Sequence, residues 1–305
     1  MRAFLALSCL LIAVAVQAET WRFVAIGDVP YSDYERREFP RLLDRIAEES
    51  PDLIVHAGDI KYGSSRCSDA LLLDRRELFD ASPVPFIYVP GDNEWMDCKR
   101  LAAGNYDPLE RLEALRRLFF PQPASLGKRR MSVERQSVDY PEHQRFRLGP
   151  VLFVTLNVPG PDNNRGIAEQ PNAEFLARNP LVIDWLRQGF SLAREEQLPG
   201  IVIVMQADIG FKFFEAGLTN SPFQDLFEEL RREVLEFPGQ VLLVHGDSHY
   251  QRIDQPMRHP LTKKRLQNFT RLETFGFPFM GWVKVVVGEE APSLFRFETR
   301  SYRPD

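Results

Sequence analysis

The chain has 305 residues, with 38 Lys and Arg against 43 Asp and Glu, which gives a formal net charge of −5. Hydrophobic residues make up 44% and charged residues 27%, the proportions of a globular protein, which exclude a disordered or collagen-like chain. The slightly acidic balance provides no basic field for sequence-independent binding, and this argues against nucleic acid as a partner.

Residues 1–18 have the layout of a secretory signal peptide. A positive start precedes an apolar run from Ala3 to Val16, and Ala18 closes a cleavage site of small residues. We therefore expect cleavage after Ala18 and a periplasmic or secreted mature chain, residues 19–305, that forms a single domain. Neither this run nor any later segment reaches the ~20 apolar residues that a membrane-spanning helix needs. A lipoprotein anchor at Cys9 is the less favoured alternative, because few hydrophobic residues precede it.

Two cysteines, Cys67 and Cys98, remain in the mature chain. In an oxidising compartment an even pair favours a disulfide, with two unrelated free thiols as the alternative. Each cysteine follows a Gly-Asp dipeptide by a few positions, so we expect both on loops at one edge of a sheet.

The first third of the chain alternates strands and helices. Apolar runs predict strands over 21–26, 52–56 and 85–89, and helical spacing predicts helices over 34–50 and 70–81. Strands separated by helices of this length predict a parallel core.

The rest of the chain mixes both element types. Helices are predicted over 105–120, 181–196 and 222–236, a hairpin over 146–156 and a loop over 157–179. Further strands are predicted over 201–205, 241–244, 281–287 and 294–299. Strand-rich ends around this core predict an α/β fold in which two mixed β-sheets pack face to face as a β-sandwich flanked by helices.

Four of the predicted core strands end in the same dipeptide, a glycine followed by an aspartate. The aspartates are Asp28, Asp59, Asp92 and Asp247, and His249 lies two residues after the last. Ligands of α/β sheets bind beyond the carboxyl ends of strands, so we expect these side chains to converge there. Converging carboxylates repel one another unless cations neutralise them, which predicts a metal site with two ions that share a bridging carboxylate. The alternative, four separate turns or helix caps, is the usual fate of a single Gly-Asp.

As an ordered set, these segments resemble the motifs of the calcineurin-like metallophosphoesterases, and within them the purple acid phosphatase pattern. The matching segments are Gly27-Asp28, Gly58-Asp59-Ile60-Lys61-Tyr62, Gly91-Asp92-Asn93-Glu94, Ile203-Val204-Met205-Gln206 and Gly246-Asp247-Ser248-His249. The resemblance implies a first ion held by Asp28, Tyr62 and His249, with Asp59 bridging to a second. It implies that the second ion is completed by Asp92, Gln206 and Asp247, where the family has Asn, His and His.

These substitutions bear on the choice of metal and on the reaction. Carboxylate and amide oxygens in place of imidazoles favour Fe, Mn²⁺, Mg²⁺ or Ca²⁺ over Zn²⁺. The reaction that the resemblance implies is hydrolysis of a phosphate mono- or diester of a small molecule, through in-line attack by a metal-bound hydroxide. Lys61, close after the bridging aspartate, could contact a substrate phosphate or be a solvated loop charge.

The family's general acid is replaced in this chain. Asn93 stands where the family has the histidine that protonates the leaving group, and an amide cannot deliver a proton. His245 and Asp208 are the nearest substitutes in sequence, although His245 also suits a hydrogen-bonded core position. The alternative function is therefore a catalytically weakened or inactive protein that binds a metal or a phosphorylated ligand on the same fold.

Overall fold

The computed structural model describes residues 20–166, 170–288 and 294–304. The predicted signal peptide and its cleavage after Ala18 lie outside these ranges. Among the helices of the described ranges, none is both long and apolar enough to cross a membrane.

Strands and helices alternate along most of the described chain. The strands are β1 (Trp21–Ile26), β2 (Leu53–His56), β3 (Phe86–Tyr88), β4 (Glu134–Arg135), β5 (Gln144–Leu148), β6 (Val151–Thr155), β7 (Gly200–Val204), β8 (Gln240–His245), β9 (Arg252–Asp254), β10 (Phe269–Glu273), β11 (Gly281–Val287) and β12 (Phe295–Ser301). The α-helices are α1 (Asp33–Glu48), α2 (Asp69–Asp80), α3 (Pro108–Phe119), α4 (Ala173–Glu195), α5 (Phe211–Glu215) and α6 (Gln224–Glu236), and a 3-10 helix covers Met96–Lys99.

These strands form two mixed sheets. The first has the order β12-β11-β1-β2-β3, and the second has the order β4-β5-β6-β7-β8-β10-β9. In the first sheet β1, β2 and β3 run parallel, while β11 is antiparallel to both of its neighbours. In the second sheet β6, β7, β8 and β10 run parallel. The predicted parallel core is therefore confirmed.

The two sheets pack against each other through fully buried apolar side chains. Phe23 and Val55 of the first sheet share a cluster with Val204 and Val244 of the second. The outer face of the first sheet is covered by α1, α2 and α3, and that of the second by α4 and α6. The predicted sandwich flanked by helices is thus confirmed, and burial of both faces explains why the central strands read as continuous apolar runs.

The structure differs from the sequence prediction in the following respects. The loop predicted over 157–179 ends early, because α4 begins at Ala173 and continues through Pro180. Phe175 and Val182, on either side of the proline, are both buried, and Val182 belongs to the apolar cluster that covers the second sheet, so this packing outweighs the hydrogen bond that proline removes. The sequence does not predict β4, β9, β10 or α5, although β10 pairs in parallel with β8 inside the second sheet.

Candidate active site

Three of the strand-end aspartates stand in sharp backbone turns. Asp28, Asp59 and Asp247 have φ angles of 52°, 59° and 78°. Glycine adopts this left-handed region freely and asparagine and aspartate do so at times, whereas other residues rarely do. In this conformation the chain reverses directly after β1, β2 and β8, and the side chains stay at the sheet edge.

Hydrogen bonds join the four strand ends into one cluster. The backbone N–H of Asp247 donates to Oδ1 of Asp28 at 3.0 Å, although the two residues are 219 positions apart. The backbone N–H of Asn93 donates to Oδ1 of Asp59 at 3.2 Å. The side-chain amide of Gln206 donates to Oδ1 of Asp92 at 3.0 Å. The four aspartates therefore lie close together in the structure, as the sequence predicts.

The cluster opens into a pocket of about 370 Å³. Its polar lining includes Tyr31, Asp59, Tyr62, Asp92, Asn93, Asp97, Arg100, Asp247 and His249. The aspartates lie at its floor, since Asp59 is 3% and Asp92 6% exposed. Arg100 stands at the rim, paired with Asp97.

Burial and mutual repulsion raise the pKa values of these carboxyl groups. Burial is the first cause for Asp59, and the charges of Asp92, Glu94, Asp28 and Asp247 raise its pKa further. Burial and the charge of Asp247 raise the pKa of Asp92 well above its ordinary value. Burial raises the pKa of Asp247 to about 7. The protein's own cations therefore do not neutralise this cluster completely.

Tyr31 occupies the centre of the cluster. Its hydroxyl donates to Oδ2 of Asp59 at 2.8 Å and accepts from the side-chain amide of Asn93 at 2.9 Å. The same oxygen lies 3.1 Å from Nε2 of His249 and 3.5 Å from Oδ1 of Asp28. Three residues implied as ligands of the first ion thus surround one tyrosine hydroxyl.

The tyrosine implied by the motif lies elsewhere. Tyr62 is 50% exposed, and its ring packs edge-on against that of Tyr31 at 5.9 Å between centroids. It lines the pocket mouth, whereas the hydroxyl of Tyr31 lies among the carboxylates.

His249 and Asp28 form an ion pair on one side of the cluster. Nε2 of His249 lies 3.4 Å from Oδ1 of Asp28, while Nδ1 is 2.9 Å from the carbonyl oxygen of Phe277. Partial burial lowers the pKa of His249, but the hydrogen bond and charge of Asp28 outweigh it and raise the pKa above its usual value. The pair therefore favours a protonated imidazole, while burial raises the pKa of Asp28 despite this contact.

Gln206 is fully buried between two loops. Its Oε1 accepts from the backbone N–H of Gly160 at 2.5 Å, and its Nε2 donates to Asp92. The N–H group of its side-chain amide, and not the carbonyl oxygen, therefore faces the pocket floor.

Glu94 links the loops that follow β2 and β3. Its Oε1 accepts from the backbone N–H of Gly91 at 2.6 Å, from that of Asp59 at 3.1 Å and from the hydroxyl of Tyr88 at 2.7 Å. Lys61 is fully buried and contributes a positive charge close to Glu94 and Asp59. It is therefore an internal counterion, neither a surface charge nor a group on the pocket wall.

The predicted substitutes for the general acid lie outside the pocket lining. His245 is fully buried at the end of β8, and burial lowers its pKa to about 4. Burial raises the pKa of Asp208, but the charges of His245 and Arg252 and a backbone hydrogen bond outweigh it and lower the pKa. Asp208 also accepts from Arg252 at 2.7 Å. Neither group is placed to protonate a ligand in the pocket.

The metal positions implied by the resemblance differ in their fit. Among the described residues, no group of three or more His, Cys, Asp or Glu side chains is arranged to hold an ion. Cations require ligand atoms at about 2.0–2.6 Å, and the Tyr31 hydroxyl already occupies the space between Asp28, Asp59 and His249. The first position therefore does not fit an ion. On the other side of the cluster, Asp59, Asp92 and Asp247 line the pocket with oxygen donors of the kind that hard cations prefer.

Two further features fix the loops around the pocket. A disulfide joins Cys67 to Cys98, and both sulfurs lie beside the carbonyl oxygen of Asn93, at 3.7 and 3.8 Å. On the opposite side, buried Arg178 donates to the carbonyl oxygen of Asn157 at 2.7 Å and to Oδ1 of Asn163 at 2.8 Å.

Sequence reasoning missed Tyr31, Glu94 and Arg178. For Tyr31 a signal existed, because it follows Asp28 by three residues and so belongs to the same strand-end loop. Glu94 lies within one of the motif segments, but the resemblance assigns it no role. Arg178 has one local partner, Glu174, but the loop oxygens that it binds lie 15 to 21 residues earlier.

Comparisons with known proteins agree with this geometry. A sequence model of the calcineurin-like phosphoesterase family matches residues 22–251, so the chain belongs to that family. No protein in a search of curated sequences matches it.

Two solved structures with TM-scores above 0.5 share the fold at low identity, and a third similar structure has a lower score. A purple acid phosphatase from yellow lupin (Lupinus luteus) seeds has a TM-score of 0.53 and 13% identity, with 93% of this chain and 54% of that chain covered. GAP50, described as the anchor in the inner membrane complex of Plasmodium, has a TM-score of 0.52 and 12% identity, with coverages of 95% and 90%. A dimetal phosphatase from Danio rerio has a TM-score of 0.47 and 13% identity, with coverages of 93% and 99%.

Proposed function

We propose that this chain is an exported, metal-dependent phosphoesterase that hydrolyses a phosphate mono- or diester of a small molecule. The observation that carries the proposal is the convergence of four strand-end aspartates, three of which line one open pocket of a calcineurin-like fold. The raised pKa values of these carboxyl groups mark a demand for added positive charge.

The residues divide between cation and phosphate. Asp92 and Asp247 would hold a hard cation, with Mg²⁺, Mn²⁺ or iron favoured over Zn²⁺ by the oxygen donor set. Such a cation lowers the pKa of water and attracts phosphoryl oxygens. Arg100 lines the same pocket and would bind those oxygens as a positively charged donor, whereas both ring nitrogens of His249 already face Phe277, Tyr31 and Asp28.

The position at which the family places its general acid supplies no proton in this chain. Asn93 can orient a ligand oxygen through its amide but cannot protonate it, and both sequence candidates for the acid lie outside the pocket. General acids contribute about 10²–10⁴-fold to rate. The enzyme should therefore prefer esters, such as aryl phosphates, whose leaving groups depart as anions.

Turnover on a matched ester panel tests the proposal. The mature chain, loaded with Mn²⁺, is assayed on aryl and alkyl phosphate mono- and diesters, beside the variant Asp92→Ala and the control Lys212→Ala. We expect turnover of aryl esters that falls at least tenfold in Asp92→Ala and is unchanged in the control, whose residue lines a different pocket. Absence of turnover across the panel by metal-loaded protein would refute the hydrolase proposal.

A non-catalytic ligand-binding role is the second candidate. Its specific support is the hydroxyl of Tyr31 among the carboxylates together with the amide of Asn93 at the acid position. Calorimetric binding of inorganic phosphate to the metal-loaded protein, without turnover on the panel, would favour this role.

Export has its own test. Purification from the native host followed by N-terminal sequencing should give a chain that begins at Glu19, and a chain that retains Met1 would refute export by signal-peptide cleavage.

A further inference from the structure

We propose that the hydroxyl of Tyr31 takes the place of one of the family's two metal ions, so that this chain binds at most one cation, on the side of Asp92 and Asp247. The inference rests on the proposed function only in its choice of the remaining cation. The exclusion of the first ion follows from contacts within the cluster.

The exclusion of the first ion depends on the position of a single oxygen atom. The Tyr31 hydroxyl lies 2.8 Å from Asp59, 3.1 Å from His249 and 3.5 Å from Asp28. An ion bound by the same three side chains would stand within about 2.0–2.6 Å of each ligand atom. It would therefore overlap the hydroxyl, and the two cannot occupy the site together.

Tyr31 is held in this position by its surroundings. Its backbone N–H donates to Glu35 at 2.6 Å, and its side chain is only 7% exposed. Its ring stacks on Phe277 with 6.0 Å between centroids, and the ring of His249 packs edge-on against it at 5.0 Å. Displacing the hydroxyl would require loss of this aromatic packing and of a buried hydrogen bond to Asp59.

The same contacts serve the carboxylates that a first ion would have served. Asp28 is paired with His249, and Asp59 accepts hydrogen bonds from the neutral side chains of Tyr31 and Asn93 at 2.8 Å each. Asp92 accepts from the neutral amide of Gln206 at 3.0 Å, and Asp247 accepts from the backbone N–H of Asp208 at 3.0 Å. Within the described part of the chain, the carboxylates of the cluster that are hydrogen-bonded to neutral groups rather than to a cation are therefore those that line the pocket, and a cation is needed on that side rather than beside Asp28.

Loading with Mn²⁺ tests the inference by counting ions. Metal-free mature protein is saturated with Mn²⁺, freed of excess, and analysed for metal per chain and by electron paramagnetic resonance, which separates an isolated ion from an exchange-coupled pair. We expect no more than one isolated ion in the wild type. The variant Tyr31→Ala should take up a second ion and show coupling, whereas the matched control Tyr62→Ala should load as the wild type does.

Each outcome bears on one proposal or the other. Two coupled ions in the wild type, or a folded Tyr31→Ala that gains no ion, would overturn the exclusion by Tyr31. The wild-type count decides the matter even if the alanine variant fails to fold. Aryl phosphate turnover is measured on the same samples. One bound ion without turnover refutes the proposed hydrolase and supports this inference. Two bound ions with turnover support the proposed hydrolase and refute this inference.

Discussion

Glu94 is the acceptor on which the loops after β2 and β3 depend, and its replacement by alanine should be among the most damaging changes near the pocket. The side chain is fully buried and accepts three hydrogen bonds of 3.1 Å or less, from Gly91, Asp59 and Tyr88. A buried donor left without a partner costs about 1–3 kcal/mol. Relief of the repulsion between Glu94 and Asp59 offsets part of this cost. We therefore expect Glu94→Ala to lower the free energy of unfolding by about 3 kcal/mol.

Urea unfolding followed by circular dichroism measures this loss. Glu113→Ala is the matched control, because Glu113 has a 59% exposed side chain and pairs with Arg116 on the surface of α3. Such exposed pairs contribute about 0–1 kcal/mol. A Glu94→Ala variant as stable as the control would refute the role of Glu94 as the acceptor that joins the two loops.

Three further outcomes are expected. Replacing Cys67 and Cys98 by serine should lower the free energy of unfolding by about 3–4 kcal/mol, because their bond closes a loop with a sequence separation of 31; a reducing agent should then affect the wild type but not the variant. Burial raises the pKa of Asp247 from 3.8 to about 7, so the folded, metal-free protein keeps a proton that the unfolded chain has lost between these pH values. Its stability should fall as the pH rises through that window. Urea titrations at several pH values should show a shallower fall for Asp247→Asn, and equal slopes would contradict this pKa. Arg178→Met should lower the free energy of unfolding by about 3–5 kcal/mol, because it leaves the charge of Glu174 without its buried partner. Arg187 is half-exposed, so the control Arg187→Met should lower it by under about 1 kcal/mol.

The strand-end aspartates could be predicted because each is marked by a local pattern. An apolar run followed by Gly-Asp marks the end of a buried strand, and parallel strands bring their carboxyl ends to one edge. The pairing of β1, β2 and β3 places Asp28, Asp59 and Asp92 together, and the packing of the two sheets brings Asp247, which follows β8, beside Asp28.

The choice between two tyrosines could not be predicted in the same way. Tyr62 occupies the motif position, yet the partners of the Tyr31 hydroxyl lie 28, 62 and 218 residues away in sequence. Which phenol reaches the cluster depends on how three loops pack against Phe277 and His249. The start of α4 was missed for a related reason, since burial against the second sheet overrides the local signal of Pro180.

The left-handed turns at Asp28, Asp59 and Asp247 set thermal tolerance against chemistry. Asparagine adopts such φ angles as aspartate does, keeps a side-chain oxygen for the hydrogen bonds that Asp28, Asp59 and Asp247 accept, and removes a negative charge from a crowded cluster. A selection that rewards heat resistance alone should therefore enrich asparagine at these three positions. The survivors would be sturdier proteins with an uncharged pocket, because the charges that make the chain harder to fold are the ones that the pocket needs for chemistry.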